Sequence, residues 1–374
     1  MKNKLFIFMM CITLVFTFVA CAQKTENSEK TDTKESVETT DNSEDTKEDT
    51  ATEESKEETV DESVTKLADK QVFVKPDFVK ALIDGKTDYD NFVVAEVTWG
   101  EAKDSPDYLK EHIPGAIHFN TDLVEEGPVW NYRAPLEIEK NILANGVTSD
   151  TFVLIYGPDL PGASRVAQCM LYMGVKNVKI LDGGLNAWKN AGYETEEGEV
   201  KPNTAEEFGV EVPAHPEYVL SLEDVQNKLK DSNFRLVSIR SEEEWKGETS
   251  GYSYIPKAGE PKGAVWGKSG EGNSGMEYYV NDDGTVKDFA DIEAMWKEQG
   301  FDTSNELSFY CGTGWRAALP WLMMYEHGYD STLFDGGWNE WQMHDELEAQ
   351  VGDPKDPNFE ILTVKDLPND KALK

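Results

Sequence analysis

The chain has 374 residues, and 72 acidic against 36 basic side chains give it a formal net charge of −36. This length is enough for two domains of ordinary size with their own cores. So acidic a chain is poorly suited to bind nucleic acid or an anionic membrane surface. An anionic substrate would therefore need a local positive site.

The N-terminus has the layout of a bacterial secretion signal. Residues 1–21, MKNKLFIFMMCITLVFTFVAC, place two lysines before an apolar run that ends at Ala20-Cys21. A basic start followed by such a run is typical of a secretory signal. The Ala-Cys end resembles a lipoprotein lipobox, which implies cleavage before Cys21 and lipidation of that residue. An uncut signal anchor is the alternative, and both readings place the rest of the chain outside the cytoplasm, anchored to the bacterial membrane.

Residues 22–67 have the composition of a tether. They are rich in Glu, Asp, Ser and Thr and contain no aromatic residue. Such a segment cannot bury enough apolar surface to offset its conformational entropy. We therefore expect an acidic, disordered spacer between the membrane and the folded domains.

The rest of the chain contains an internal repeat. LDGGLNAW (181–188) recurs as FDGGWNEW (334–341), and HIPGAIHF (112–119) recurs in part as EPKGAVWG (260–267). Apolar runs such as TFVLIYG and LSFYC suit buried strands of a parallel sheet, and each precedes a segment of helical length. The DGG segments are expected to be structural, each a glycine turn followed by a helix that a tryptophan anchors.

The prediction is an α/β fold with two doubly wound domains, each a central, mainly parallel sheet flanked by helices. We place the domains at 68–208 and 209–350, followed by a C-terminal tail at 351–374.

The stretch FYCGTGWRAALPWLMM (309–324) places Cys311 between the end of an apolar strand and the start of a helix. Ligands of α/β sheets bind at this end of the strands, where helix N-termini point their amides. The glycines at 312 and 314 let N–H groups form an anion-binding nest, and Arg316 adds positive charge, so a thiolate is favoured. Cys311 is therefore the candidate nucleophile. Cys169 lies in an apolar helical row without a basic neighbour and is expected to be inert core.

These segments, duplicated and in order, resemble the tandem-domain rhodanese family of thiosulfate and 3-mercaptopyruvate sulfurtransferases. The resemblance spans roughly residues 68–350 and rests on HIPGA, both DGG…W segments and the CGTGWR loop. It implies two rhodanese-like domains. It also implies an inactive first domain, because Gly157 stands where the second domain has Cys311.

The resemblance implies a mechanism without a cofactor other than a covalent persulfide on Cys311. The partners would be a small anionic sulfur donor, thiosulfate or 3-mercaptopyruvate, and a thiol or cyanide acceptor. Arg316 would act beside the cysteine. The outer sulfur would be cradled by the backbone amides of four loop residues: Gly312, Thr313, Gly314 and Trp315.

The resemblance also implies that Arg240, which ends the strand LVSIR, binds the substrate anion and points into the crevice. The alternative is an ion pair with Glu242, Glu243 or Glu244. CGTG is closer to the CGSG of mercaptopyruvate enzymes, but the family often has Asp where this chain has Ser238. The sequence therefore does not decide between thiosulfate and 3-mercaptopyruvate as the sulfur donor.

Three other functions share some of these sequence features. A cysteine phosphatase has five residues between its cysteine and arginine, whereas this chain has four, which makes a smaller ring. A lipid-anchored solute-binding protein needs a cleft but no reactive thiol. A low-turnover sulfur carrier or sensor would keep both rhodanese-like domains. The five histidines show no metal-ligand spacing, so no metal is expected.

Overall fold

The computed structural model describes residues 62–370, which fall within one compact unit. The expectations for the signal peptide, for Cys21 and for most of the tether lie outside the described residues. The end of the expected tether belongs to the fold, because a short helix forms at Glu62–Thr65 and Leu67 packs against the core of the first domain. No helix within 62–370 has the length and apolarity needed to cross a membrane.

The first domain is built on a five-stranded parallel sheet. The strands of this domain are β1 (Phe73–Val74), β2 (Phe92–Thr98), β3 (Ile117–Asn120), β4 (Glu125–Glu126), β5 (Asn131–Tyr132), β6 (Phe152–Tyr156) and β7 (Asn177–Leu181). Strands β4 and β5 form a separate hairpin, and the other five form the sheet. The α-helices are α1 (Glu62–Thr65), α2 (Pro76–Ile83), α3 (Pro106–Lys110), α4 (Pro135–Leu143), α5 (Leu160–Met173) and α6 (Gly184–Asn190), and 3₁₀ turns lie at Ala102–Asp104 and Thr121–Leu123. The strand order is β1-β7-β6-β2-β3.

The second domain repeats this plan. Its strands are β8 (Val219–Leu220), β9 (Phe234–Ser238), β10 (Glu260–Pro261), β11 (Val265–Trp266), β12 (Glu306–Tyr310), β13 (Ser331–Phe334), β14 (Glu348–Val351) and β15 (Glu360–Thr363). The α-helices are α7 (Leu222–Lys228), α8 (Glu242–Trp245), α9 (Phe289–Gln299), α10 (Trp315–Glu326) and α11 (Gly337–Trp341), with 3₁₀ turns at Pro216–Tyr218 and Val364–Asp366. The parallel order β8-β13-β12-β9-β11 matches that of the first sheet strand for strand, which confirms the α/β repeat.

The sequence explains the central strands and the helices that follow them. All five residues of β6 and the last four of β12 are buried, as expected for inner strands covered on both faces. Helix α5 ends at Gly174, whose φ of 111° is a left-handed conformation that glycine adopts without strain. Trp188 and Trp341 are buried beyond the two DGG turns, so the structural interpretation of these segments is confirmed.

The expected C-terminal tail is wrong for residues 351–370. Strands β14 and β15 pair antiparallel with each other, and β14 also pairs with β10 of the second domain. Val364 and Leu367 are buried in the cluster that contains Trp338. These apolar side chains complete the core of the second domain, so this segment is an integral part of it.

Each domain covers the DGG turn of the other. The first strap (residues 125–132) reaches the second domain, where the backbone N–H of Tyr132 donates to Asp335 at 2.8 Å. The second strap (residues 274–286) reaches the first domain, where the N–H of Val286 donates to Asp182 at 2.8 Å. Helices α5 and α10 pack against each other between the two sheets. The Cys311 loop and its counterpart at Gly157 therefore both lie near the domain interface.

Candidate active site

Cys311 directly follows β12 at the carboxyl end of the second sheet. Its side chain is fully buried, and the backbone N–H of Gly314 donates to its Sγ at 3.2 Å. Gly314 has φ 98°, a left-handed conformation that turns this N–H toward the sulfur and that a larger residue would adopt only with strain. Helix α10 starts at Trp315, so its N-terminus also faces the sulfur.

The second DGG turn holds this loop from behind. The N–H groups of Trp338 and Asn339 donate to the carbonyl oxygens of Cys311 and Gly312 at 2.9 and 3.0 Å. A Cβ at Gly337 would lie only 2.6 Å from the Cys311 oxygen. The glycine therefore permits a backbone approach that fixes the cysteine loop.

Arg316 is buried and paired with a carboxylate. Its Nη1 and Nη2 donate to Glu244 at 2.8 and 3.0 Å, and Nη2 also lies 3.2 Å from the Tyr252 hydroxyl. Its Nε is buried and has no hydrogen-bond partner among the described residues. The positive charge expected beside Cys311 is therefore present but balanced by Glu244, and Nε is the donor left over for a ligand.

The expected position of Arg240 in an open crevice is wrong. The side chain has no exposed surface, and Nε donates to Glu244 at 3.1 Å. Nη1 donates to Glu260 and the Gly259 carbonyl, and Nη2 donates to the Ser250 carbonyl. The ion pair with Glu244 was the alternative interpretation, although it is buried rather than at the surface. Arg240 is thus placed to hold Glu244, which in turn holds Arg316.

This network contains two guanidinium groups and two carboxylates. Burial would raise the pKa of Glu244, but Arg316 and Arg240 hold it below its ordinary value. Burial raises the pKa of Glu260 to about 7 against the opposing effect of Arg240. Buried charges require such pairing. The guanidinium charges near Cys311 are therefore paired with carboxylates, and the Gly314 N–H is the donor that contacts the sulfur.

Aromatic side chains close the site. The Tyr252 ring lies against Gly312 so closely that a Cβ there would be 2.2 Å from it. The Tyr254 ring lies 5.5 Å from that of Tyr252. The ring of Trp130, from the first strap, lies 6.4 Å from that of Tyr254. Since Cys311 has no exposed surface, a donor can reach its sulfur only when this cover moves.

The first domain contributes to the loop through residues that sequence reasoning missed. The Trp315 indole N–H donates to Glu125 at 2.7 Å, and the other Glu125 oxygen accepts from Arg165 Nε at 3.1 Å. Arg165 also pairs with Asp335 of the DGG turn at 2.6 Å. No local motif marks Glu125 or Arg165, because these partners lie between 40 and 190 residues away in the chain. Glu244 did have a local signal, the Ser-x-x-Glu capping box that starts α8.

Neither Gly157 nor Cys169 offers a second nucleophile. A Cβ at Gly157 would lie 2.4 Å from the Val97 carbonyl oxygen, so this position has no room for any side chain. Cys169 is fully buried in α5, and burial raises the pKa of its thiol. Within residues 62–370, no group of three or more His, Cys, Asp or Glu is arranged to hold a metal ion.

Comparison with known proteins identifies the family. A model of the rhodanese-like domain matches residues 79–191 and, a second time, residues 221–344. The two matches together cover more than half of the chain. The protein therefore belongs to the rhodanese-like family.

The relatives include named sulfurtransferases. "Thiosulfate sulfurtransferase YnjE" of Escherichia coli K12 is 40% identical over 298 residues, which cover 78% of this chain and 66% of YnjE. The crystal structure of YnjE matches with a TM-score of 0.72 and 37% identity, over 82% of this chain and 70% of that chain. "3-mercaptopyruvate sulfurtransferase" of Mus musculus is 27% identical over 254 residues, 66% of this chain and 82% of the relative.

A variant of EanB is also similar, with a TM-score of 0.73 and 33% identity over 76% of this chain and 71% of that chain. That structure is described as carrying a cysteine persulfide in an intermediate state with ergothioneine.

Proposed function

We propose that the protein is an extracytoplasmic sulfurtransferase that moves a sulfane sulfur through a persulfide on Cys311. The donor is thiosulfate or 3-mercaptopyruvate, and the acceptor is a thiol or cyanide. The observation that carries the proposal is the Cys311 Sγ at the end of β12, 3.2 Å from the Gly314 N–H and at the N-terminus of α10. The names of the relatives, and the persulfide described for the EanB variant, support the same chemistry.

The reaction has two balanced half-reactions. The Cys311 thiolate attacks the outer sulfur of thiosulfate, the S–S bond breaks, and sulfite leaves with the electron pair. With 3-mercaptopyruvate the C–S bond breaks instead, and pyruvate leaves after taking up a proton. An acceptor thiolate or cyanide then attacks the outer sulfur of the persulfide, which returns Cys311 as a thiolate and releases a persulfide or thiocyanate. No cofactor takes part in these steps.

The surrounding residues have distinct tasks in this scheme. The Gly314 N–H and the α10 N-terminus stabilise the sulfur anion that exists before and after each transfer. The unpartnered Nε of Arg316 donates to the anionic donor. Glu244 fixes the Arg316 guanidinium through two hydrogen bonds, so that this donor has one orientation.

The location of the protein is part of the proposal. It rests on the lysines, the apolar run and the Ala20-Cys21 end of residues 1–21, which favour export and lipidation of Cys21. The acidic segment up to residue 61 then serves as a spacer from the membrane.

A sulfur carrier or sensor with little turnover is the second candidate, and one observation favours it. Cys311 has no exposed surface, so a persulfide on it would be protected from solvent until a partner opened the aromatic cover. The solute-binding alternative is not retained, because both halves of the chain match the rhodanese-like family.

Intact mass measurement tests the proposal. Purified protein treated with thiosulfate or 3-mercaptopyruvate should gain the mass of one sulfur atom. Cys311→Ser should gain nothing, whereas Cys169→Ser, the matched control, should gain the sulfur. A folded wild type that both donors leave unmodified would overturn the proposal, and loading with no multiple turnover on adding cyanide or a thiol would establish the carrier.

A further inference from the structure

The first domain retains a cleft at the position equivalent to the Cys311 site. It has a volume of about 950 Å³ and lies at the carboxyl end of β6, between Gly157, the turn after β7 and the second strap. Carboxyl ends of parallel strands are the usual ligand-binding edge of a doubly wound sheet. The cleft therefore has the location of a ligand site but no nucleophile.

The lining of this cleft is strongly acidic. It contains one lysine, Lys189, which pairs with Glu111 at 2.7 Å. Seven carboxylate residues line it: Glu96, Asp107, Glu111, Asp159, Glu277, Asp282 and Asp283. An anionic sulfur donor would be repelled here.

Glu96 is the feature that points to a ligand. Its side chain is only 4% exposed, and Oε2 has no hydrogen-bond partner among the described residues. Burial raises the pKa of Glu96 to about 7; the Tyr156 hydroxyl opposes this increase, and the charges of Asp107 and Glu111 add to it. A buried carboxylate oxygen without a partner is costly, and a cationic donor in the cleft would satisfy it.

The electrostatic polarity of this cleft is the reverse of that at Cys311. In the second domain, the Gly314 N–H donates to the cysteine sulfur. In the first domain, Asp159 stands at the N-cap of α5 without a side-chain capping hydrogen bond, and it lines the cleft. A carboxylate residue thus precedes this helix where the second domain has glycine, and its charge adds to that of the cleft.

The arrangement of the carboxylates selects the kind of cation. Within residues 62–370 no three potential ligands converge on one metal-sized point, so the acidic groups surround the cleft without forming a cage. Separated carboxylates match a ligand with separated ammonium groups. We propose that the first-domain cleft binds a linear polyamine, with one ammonium group donating to Oε2 of Glu96.

Calorimetric titration with spermidine, at fixed ionic strength, tests this proposal. The wild type should bind one equivalent, and Glu96→Gln should bind about tenfold more weakly or worse, the loss expected for one charged hydrogen bond. Glu137→Gln, on the exposed side of α4 and outside the cleft, makes the same charge change and should bind like the wild type. Binding should tighten from pH 6 to pH 8, as Glu96 ionises.

Asp159→Asn provides a second, independent variant and should also weaken binding. Magnesium chloride should weaken spermidine binding no more than a monovalent salt does at the same ionic strength, because it should act only by screening charge. Equal weakening in Glu137→Gln and Glu96→Gln, or equal competition by magnesium, would mean general attraction to an acidic surface and would overturn the proposal. Loading of Cys311 with sulfur should be unchanged in Glu96→Gln, so this test succeeds or fails separately from the sulfurtransferase proposal.

Discussion

Glu244→Gln should be among the most damaging single changes near Cys311. The Glu244 carboxylate accepts from Arg240 Nε at 3.1 Å and from both terminal nitrogens of Arg316 at 2.8 and 3.0 Å. It also accepts from the Ser241 backbone N–H at 2.9 Å, which caps α8. A glutamine removes the charge and turns an N–H₂ group toward one of the guanidinium groups. Arg316 would then lose its carboxylate partner, and Arg240 would keep only Glu260.

The expected magnitude follows from this burial. Removing one partner of a buried ion pair costs about 3–5 kcal/mol, because the other charge stays buried without compensation. Whole domains are stable by about 5–15 kcal/mol, so the change removes a large part of the available stability. At exposed sites a similar change is worth less than about 0.5 kcal/mol. Glu243→Gln, at the exposed neighbour in the same helix, is therefore the matched control.

Urea unfolding followed by circular dichroism measures this difference. Glu244→Gln should unfold at a markedly lower urea concentration than the wild type, and Glu243→Gln should unfold at the same concentration. The fraction of Glu244→Gln that remains folded should load sulfur more slowly, since Arg316 is no longer held. Equal unfolding midpoints for the two variants would refute the reasoning, because Arg240 and Arg316 would then have other adequate partners.

Three further predictions address the inactive domain, the anchor and the pH dependence of stability. Gly157→Cys in a Cys311→Ser background should not restore thiocyanate formation from thiosulfate and cyanide, since a Cβ there lies 2.4 Å from the Val97 oxygen; restored turnover would contradict this. Cys21→Ser should release the protein from membranes or block its processing in cell fractionation, whereas unchanged processing and retention would favour an uncut anchor. The pKa of Glu96 is raised from its ordinary value of 4.5 to about 7 in the folded protein, so the folded state binds more protons than the unfolded state. The stability that the protonated side chain contributes is therefore lost as pH rises through 7. Glu96→Gln should therefore gain roughly 3 kcal/mol over the wild type at pH 8 and little at pH 4, and an equal gain at both pH values would refute the assignment.

The features that local sequence determines were predicted well. The central strands, the repeat and the DGG turns follow from apolar runs and glycine positions within about ten residues of each other. The placement of Cys311 between β12 and α10 follows from the same kind of pattern. The fold and the position of Cys311 were therefore accessible, because a short stretch of chain encodes each of them.

The sequence predictions that were wrong, and the residues that were missed, concern contacts between distant parts of the chain. Arg240 was expected to point toward a substrate, but Glu260, twenty residues later, draws its guanidinium into the core. The role of Glu125 depends on Trp315 of the other domain, and no periodicity reveals that hydrogen bond. The segment around Val364 was expected to be a tail, because its few apolar residues show their purpose only beside β10 and β14.

Cyanolysis of the loaded protein tests the central claim most directly. The protein is incubated with excess thiosulfate or 3-mercaptopyruvate, freed of the donor by gel filtration, and treated with cyanide. The wild type and Cys169→Ser should each release one thiocyanate per chain, and Cys311→Ser should release none. Equal release from Cys311→Ser and the wild type, or none from a folded wild type with either donor, would contradict the assignment of Cys311 as the sulfur carrier.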